Sequence, residues 1–262
     1  MSGLNQNLIR LITIISVFFC LLWLGGLGWA VGEYYAGKPD KIPQPETVTK
    51  KEENKNELTI VALGDSLTRG TGDETGKGYV GLLVDEIEEK AKQPVKITNL
   101  GIIGQRSNQL REQVQETEVQ RQIKTADYVV ITIGGNDLFQ GGQGLIEYET
   151  MADMEEVEKK YLENLQFVIQ EIRNVNKEAT VFLIGLYNPF MDLDEGKEIS
   201  KMVRHWNYQS AEVSASFPKV VFVPTFDLFE LKVNDYLYTD KFHPNTEGYR
   251  LIAERVASLL TW

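Results

Sequence analysis

From residue 58 onward, short apolar runs alternate with longer stretches in which apolar positions recur every three or four residues. The runs are Leu58–Leu63, Val95–Leu100, Tyr128–Ile133, Thr180–Leu186 and Val220–Val223. Mostly apolar, β-branched runs of this length predict strands buried on both faces. The stretches between them predict helices. Tyr79–Lys92 places Val80, Leu83, Val84 and Ile87 on one face, and Ser107–Lys124 is polar with Leu110 and Val114 as anchors. Met154–Val175 repeats Val157, Tyr161, Leu165, Val168 and Ile172 at helical spacing, and Asp194–Ser216 and Thr246–Leu260 complete the set. Strand–helix alternation predicts an α/β fold with a parallel sheet covered by helices on both sides. In such a sheet ligands bind at the carboxyl ends of strands, so chemistry is expected to follow strands rather than precede them.

The first part of the chain has a different pattern. Residues 11–32 carry no charge over 22 positions and are apolar all round. At about 1.5 Å per residue this run reaches roughly 33 Å, enough to cross a hydrocarbon core. A buried core helix would be one-sided. The expectation is an N-terminal tail and transmembrane anchor over 1–34, with secretion after signal-peptide cleavage as the alternative. Gly28-Trp29-Ala30 loosely fits a cleavage pattern, but the run is long for a signal peptide. Cys20, preceded by Val17-Phe18-Phe19, reads as a membrane-buried thiol rather than a lipoprotein cysteine. Residues 35–57 hold three prolines, many charges and only Ile42 and Val48 as larger aliphatic residues, which predicts a flexible linker. The globular domain is then expected over 58–262. Lys38, Lys41, Lys50 and Lys51 follow the span and, counted simply, disfavour an N-inside orientation. Large domains translocate largely regardless of charge, so a single-pass protein of the cell membrane with its domain outside the cytoplasm is the favoured arrangement.

The net charge is −11, and of the first 32 residues only Arg10 is charged, so the body is acidic. Such a body is repelled by nucleic acid, and no basic patch with interleaved aromatics is present. The body has no cysteine and the chain has only two histidines, too few for a structural zinc site. Neither a Walker A motif nor a dinucleotide-binding glycine fingerprint occurs. No metal and no cofactor are expected, and the domain is expected to be monomeric.

Four segments fall where a parallel sheet would use them. Gly64-Asp65-Ser66-Leu67 follows the first strand, Gly101-Ile-Ile-Gly104 the second and Gly134-Gly135-Asn136-Asp137 the third, while Asp240-Lys-Phe-His243-Pro244 precedes the last helix. A serine hydroxyl is a poor nucleophile until a base takes its proton. His243 has Asp240 three positions earlier, a spacing that lets the carboxylate accept from Nδ1–H and leaves Nε2 to face Ser66. His205 lies on a predicted helix with no acidic neighbour in sequence and reads as a surface or packing residue. A developing oxyanion needs donors, which the Ser66 and Gly104 backbone N–H groups and the Asn136 side-chain amide would supply. Each segment alone has a plain reading as a turn or a helix cap; their order and their placement after successive strands favour the joint one. Gly-x-Ser-x-Gly, required by a classical α/β-hydrolase, is absent.

These four segments resemble the blocks of the SGNH, or GDSL-type, hydrolase family, and the resemblance covers roughly residues 58–262. It implies a flavodoxin-like three-layer α/β/α sandwich with a five-stranded parallel sheet. It makes Ser66, Gly104, Asn136 and His243 the four namesake residues, with Asp240 completing a triad. The anchored, linker-bearing layout resembles lipase/acylhydrolase-like members from Gram-positive bacteria. The implied activity is hydrolysis of a small-molecule or lipid ester through a covalent acyl-Ser66 intermediate at the cell envelope. The alternatives are an O-acyl transferase or deacetylase acting on cell-wall or lipid sugars, and, outside enzymes, a surface binding or scaffold protein on a hydrolase fold. One departure stands out: where many members carry Gly-Asp-Thr or Gly-Glu-Thr, this chain has Gly104-Gln105-Arg106-Ser107. That puts Arg106 near the expected pocket, where the favoured reading is a solvated arginine and the alternative is a partner for an anionic or polar substrate group. Phe139, Phe190, Met191 and Phe242 flank the motifs and are candidates for an acyl pocket as well as for core packing. Short or medium acyl esters are the expected substrates.

Overall fold

The computed structural model describes residues 6–36, 57–139 and 151–260. The chain divides into two units, Met1–Glu53 and Asn54–Trp262. The first contains one helix, α1 (Gln6–Ala36). Within it Arg10–Trp29 is long and apolar enough to cross a membrane, with a mean hydropathy of 2.3 and none of that window buried. Leu11, Phe18, Phe19 and Trp23 all point outward, so the helix has no protein core to serve. Of the expected linker, residues 37–56 lie outside the described residues.

The second unit is built on five parallel strands, β1 (Leu58–Gly64), β2 (Val95–Asn99), β3 (Tyr128–Thr132), β4 (Thr180–Ile184) and β5 (Val220–Val223), in the spatial order β2-β1-β3-β4-β5. The helices are α2 (Ser66–Arg69), α3 (Gly78–Ala91), α4 (Ser107–Gln113), α5 (Thr117–Lys124), α6 (Gly135–Leu138), α7 (Met151–Val175), α8 (Gly196–Ala215), α9 (Phe226–Phe229), α10 (Val233–Tyr236) and α11 (Thr246–Ala257).

Two-residue alternation along the strands makes two cores. Val61, Leu63, Val129, Ile131, Val181 and Leu183 face a layer of α4, α5, α7 and α8, into which Leu110, Ile123, Leu165 and Trp206 project. Ile60, Ala62, Val130, Phe182 and Ile184 face the opposite layer, packed by Tyr79 and Leu83 of α3 and Tyr249 and Ile252 of α11. This is the three-layer α/β/α sandwich expected from the motifs. The strand order reverses between β1 and β3, and that crevice is where open α/β sheets bind ligands. Gly64 pairs with Thr132, so the two loops that leave these strands start level with each other.

Of the boundaries that differ from the sequence pattern, two have a plain physical cause. The expected helix 107–124 is broken between Gln113 and Thr117. Its buried apolar residues are Leu110, Val114, Val119 and Ile123. The step of five in the middle does not fit the helical period, and the break lets both pairs face the core. The fourth strand ends at Ile184 instead of Leu186, because the Leu186 N–H leaves the sheet and donates to Asn207 Oδ1 at 2.8 Å.

Candidate active site

Ser66 opens α2 immediately beyond β1 and is almost fully buried. Asp65 caps the helix, accepting from the Leu67 N–H at 3.0 Å. As the first helical residue, Ser66 has a backbone N–H with no acceptor inside the helix. The second duty of Asp65 lies deeper: its Oδ1 accepts from Thr132 Oγ1 at 2.8 Å. Thr132 Oγ1 lies 2.7 Å from Thr68 Oγ1, which bonds the Leu63 carbonyl at 3.0 Å and lies 3.1 Å from Tyr79 Oη. Burial pushes the Asp65 carboxyl up to about 7, although the hydrogen bonds from Thr132 and Leu67 pull it the other way.

The segment 238–243 is a closed loop. A bridge between Leu237 and Pro244 pinches its base, and the Tyr238 N–H donates to the His243 carbonyl at 2.8 Å. At its tip Lys241 takes a left-handed conformation (φ 58°). Asp240 Oδ1 accepts from the backbone N–H groups of Phe242 and His243 at 3.0 and 2.9 Å. Its Oδ2 lies 2.7 Å from His243 Nδ1, and His243 Nε2 lies 2.8 Å from Ser66 Oγ. An ionised carboxylate only accepts, so Nδ1 carries the imidazole proton and Nε2 is left to accept from the serine hydroxyl. Burial alone would raise the Asp240 carboxyl; the hydrogen bonds from His243 and from the two backbone N–H groups outweigh it and hold the group below its ordinary value.

Two further supports hold this loop. Tyr187 Oη donates to the Phe242 carbonyl at 2.6 Å. Gly72, at φ 94°, packs so closely that a β-carbon there would sit 2.6 Å from the Pro244 carbonyl oxygen and 3.1 Å from the β-carbon of His243.

Gly104 and Asn136 come from the loops after β2 and β3. Gly104 has φ 76°, a left-handed conformation that favours glycine, and a β-carbon there would meet nothing within 4 Å. The requirement for glycine is therefore conformational. The Asn136 amide donates one N–H to the Gln105 carbonyl at 2.9 Å, which ties its side chain to the Gly104 loop and leaves a second N–H. Asp137 completes the tie by accepting from the Ser107 N–H at 3.0 Å and from Ser107 Oγ at 2.6 Å. Burial raises the Asp137 carboxyl despite these bonds.

Ser66, His243 and Asp240 are thus linked by hydrogen bonds, Asn136 lines the same cavity as Ser66, and its amide is tied to the loop that carries Gly104. His205 is elsewhere. It sits on α8, half exposed, with Nε2 3.3 Å from Glu158 of α7, an acidic partner that sequence distance concealed. Arg106 is elsewhere too. It is exposed at the start of α4 and lines a separate polar groove with Asp137, Lys160 and Asn164 rather than the cavity beside Ser66. That cavity is bounded by Ser66, Asn136, Phe139, Leu186, Tyr187, Pro189 and Phe242. Phe190 packs on two of its walls, with ring centroids 5.3 Å from Phe139 and 6.0 Å from Phe242, and Met191 takes no part in the lining.

Sequence motifs did not single out Thr132, Ser107, Tyr187 or Gly72. Their roles are contacts between segments distant in sequence, and only the glycine beside Thr71 in Gly70-Thr71-Gly72 hinted at a close approach.

The family model of the GDSL-like Lipase/Acylhydrolase family matches residues 62–251. The chain belongs to this family. It is accordingly an ester hydrolase of the GDSL type. The uncharacterized protein YpmR of Bacillus subtilis is 39% identical over 206 residues, covering 77% of this chain and 81% of YpmR. The spore germination lipase LipC of Bacillus licheniformis is 29% identical over 208 residues, covering 76% and 94% of the two chains. Among solved structures, the lipase Lip_vut3 from a goat rumen metagenome superposes with a TM-score of 0.69 at 25% identity, covering 77% of this chain and 96% of its own. Axe2, an acetylxylan esterase from Geobacillus stearothermophilus, has the same fold with a TM-score of 0.59 at 20% identity, covering 78% and 95%.

Proposed function

We propose that this GDSL hydrolase cleaves carboxylic esters through a Ser66–His243–Asp240 triad and a covalent acyl-Ser66 intermediate. The observation that carries the reading is the continuous line from Ser66 Oγ to His243 Nε2 at 2.8 Å and from His243 Nδ1 to Asp240 at 2.7 Å. Ser66 Oγ attacks the ester carbonyl carbon while Nε2 takes its proton. The carbonyl electron pair moves onto oxygen, and that oxyanion accepts from the Ser66 N–H, the Gly104 N–H and the second Asn136 N–H. Collapse breaks the bond to the alcohol, which leaves with the proton from His243. Water then gives a proton to Nε2 and attacks the acyl-serine. The second oxyanion collapses to free acid, and the proton returns to Ser66 Oγ. Asp240 holds the imidazole in the required tautomer throughout.

The same reading gives the chain three parts: an anchor over residues 1–34 that crosses a membrane through 11–32, a linker over 35–57, and a monomeric hydrolase domain over 58–262 outside the cytoplasm. The apolar window Arg10–Trp29 supports the anchor. Protease treatment of intact cells tests the orientation: digestion of the domain is expected, and full protection overturns it. For the triad, Ser66→Ala is expected to abolish turnover of p-nitrophenyl esters and labelling by a fluorophosphonate. Persistence of either removes Ser66 from the role.

A further inference from the structure

The cavity beside Ser66 is small. Its volume is about 30 Å³, and a cavity needs roughly 10–15 Å³ by the same measure to hold one water. Two or three groups of that size fill it. Asp65, Ser66, Thr132 and Asn136 bring the polar groups to its lining, and the rest is largely apolar, with Phe139, Leu186, Pro189, Phe242 and the Tyr187 ring. Of the two halves of an ester, the acyl half stays bonded to the enzyme while the alcohol must leave and be replaced by water. A small apolar recess beside the nucleophile suits the half that stays.

The far wall is braced. Phe139 is buried and meets Phe190 and Phe242 edge-on, at centroid distances of 5.3 and 6.1 Å. Phe242 in turn stands edge-on to the His243 ring at 5.1 Å. Rings packed on one another at these distances hold their places. Moving Phe242 would also disturb the base, so the cavity cannot lengthen in that direction without loss of the site. Phe139 reaches the base only through Phe242, which Phe190 also packs against, and is the ring whose removal opens the recess.

We infer that this enzyme acts on esters of an acetyl-sized acyl group, and that Phe139, braced by Phe190 and Phe242, sets that limit. The inference rests on the acyl-Ser66 reading above and deepens it by naming the acyl half of the substrate.

The test uses the full-length chain in detergent micelles, with p-nitrophenyl acetate, butyrate and octanoate as probes and kcat/KM as the readout. The unaltered enzyme is expected to prefer acetate over octanoate by tenfold or more. Phe139→Ala is expected to raise the octanoate-to-acetate ratio at least tenfold. Phe139→Leu, which removes less volume and is gentler on the core, is expected to raise the butyrate-to-acetate ratio severalfold. A preference of the unaltered enzyme for octanoate overturns the inference, and so do unchanged ratios in both variants when a fluorophosphonate still labels them. If the unaltered enzyme hydrolyses none of the three esters and takes no fluorophosphonate label, the acyl-Ser66 reading fails and this inference falls with it.

Discussion

Gly72 stands directly behind His243: a β-carbon at position 72 would lie 3.1 Å from the β-carbon of the histidine and 2.6 Å from the Pro244 carbonyl oxygen. The backbone at 72 is also left-handed, at φ 94°, which costs a residue with a side chain about 1–2 kcal/mol. Gly72→Ala is therefore expected to push His243 away from Ser66. Displacements on the order of 1 Å at a reacting geometry cost about 100-fold in rate. Steady-state kinetics should show that fall mainly in kcat, with the melting temperature lowered by only a few degrees. A variant with wild-type kcat would show that the histidine loop is not held from this side.

Asp240 uses its two oxygens differently. Oδ1 takes the two backbone N–H groups and Oδ2 faces His243 Nδ1. In Asp240→Asn the carbonyl oxygen is fixed at the first position by those donors, which sets the amide NH₂ against Nδ1. The imidazole then carries its proton on Nε2 and cannot accept from Ser66. The expected loss in kcat/KM is about 10²–10⁴-fold, with the fold unchanged by circular dichroism. A loss under about threefold would leave Asp240 with a structural role only.

Asn136 ties one amide N–H to the Gln105 carbonyl at 2.9 Å, and the proposed mechanism gives its other N–H to the oxyanion. Asn136→Ala is expected to lower kcat by about 10²–10³-fold, the usual effect of removing one oxyanion donor. KM should move little, since a ground-state carbonyl oxygen gains less from that donor than the transition state does. A change confined to KM would count against the oxyanion role.

Asp65 should make folding stability depend on pH. Its carboxyl is raised by burial to about 7 in the folded chain from an ordinary value of 3.8. Folding therefore favours the protonated form. The resulting stability is complete below about pH 3.8 and is lost as the pH rises through about 7. Between pH 5 and pH 8 the loss is roughly 3 kcal/mol, at 1.36 kcal/mol per pH unit. Asn at this position keeps an acceptor for Thr132 and Leu67 and carries no charge. Urea midpoints at the two pH values should differ more for the unaltered chain than for Asp65→Asn. Equal differences would place the titration elsewhere.

Much of this was legible in the sequence. The five strands could be read because buried parallel strands are apolar on both faces, and β1, β3 and β4 are almost unbroken runs of such residues. Ser66 and His243 stood out because only two histidines exist and only one had an acidic residue at a useful spacing. Asp240 was readable because its partner is three residues away. Ser107 and Asp137, thirty residues apart, were not, and neither was Tyr187 on the Phe242 carbonyl. Arg106 could not be placed for a related reason: proximity to Gly104 in sequence says nothing about which side of α4 a side chain leaves from.

The Asp240–His243 pair lies within one loop closed at its base by the Leu237–Pro244 bridge. When that loop shifts as a body, the distance within the pair stays the same. The contact with Ser66, by contrast, spans 177 residues of chain and joins two separate segments. All mechanical slack in the relay is therefore gathered at a single seam. In the proposed mechanism a molecule whose loop has lifted is dormant rather than denatured: its acid and imidazole remain assembled, its sheet is intact, and reseating the loop against Ser66, Tyr187 and Gly72 restores it. Gentle denaturant should silence the enzyme well before it unfolds it, and dilution should return activity without a refolding lag.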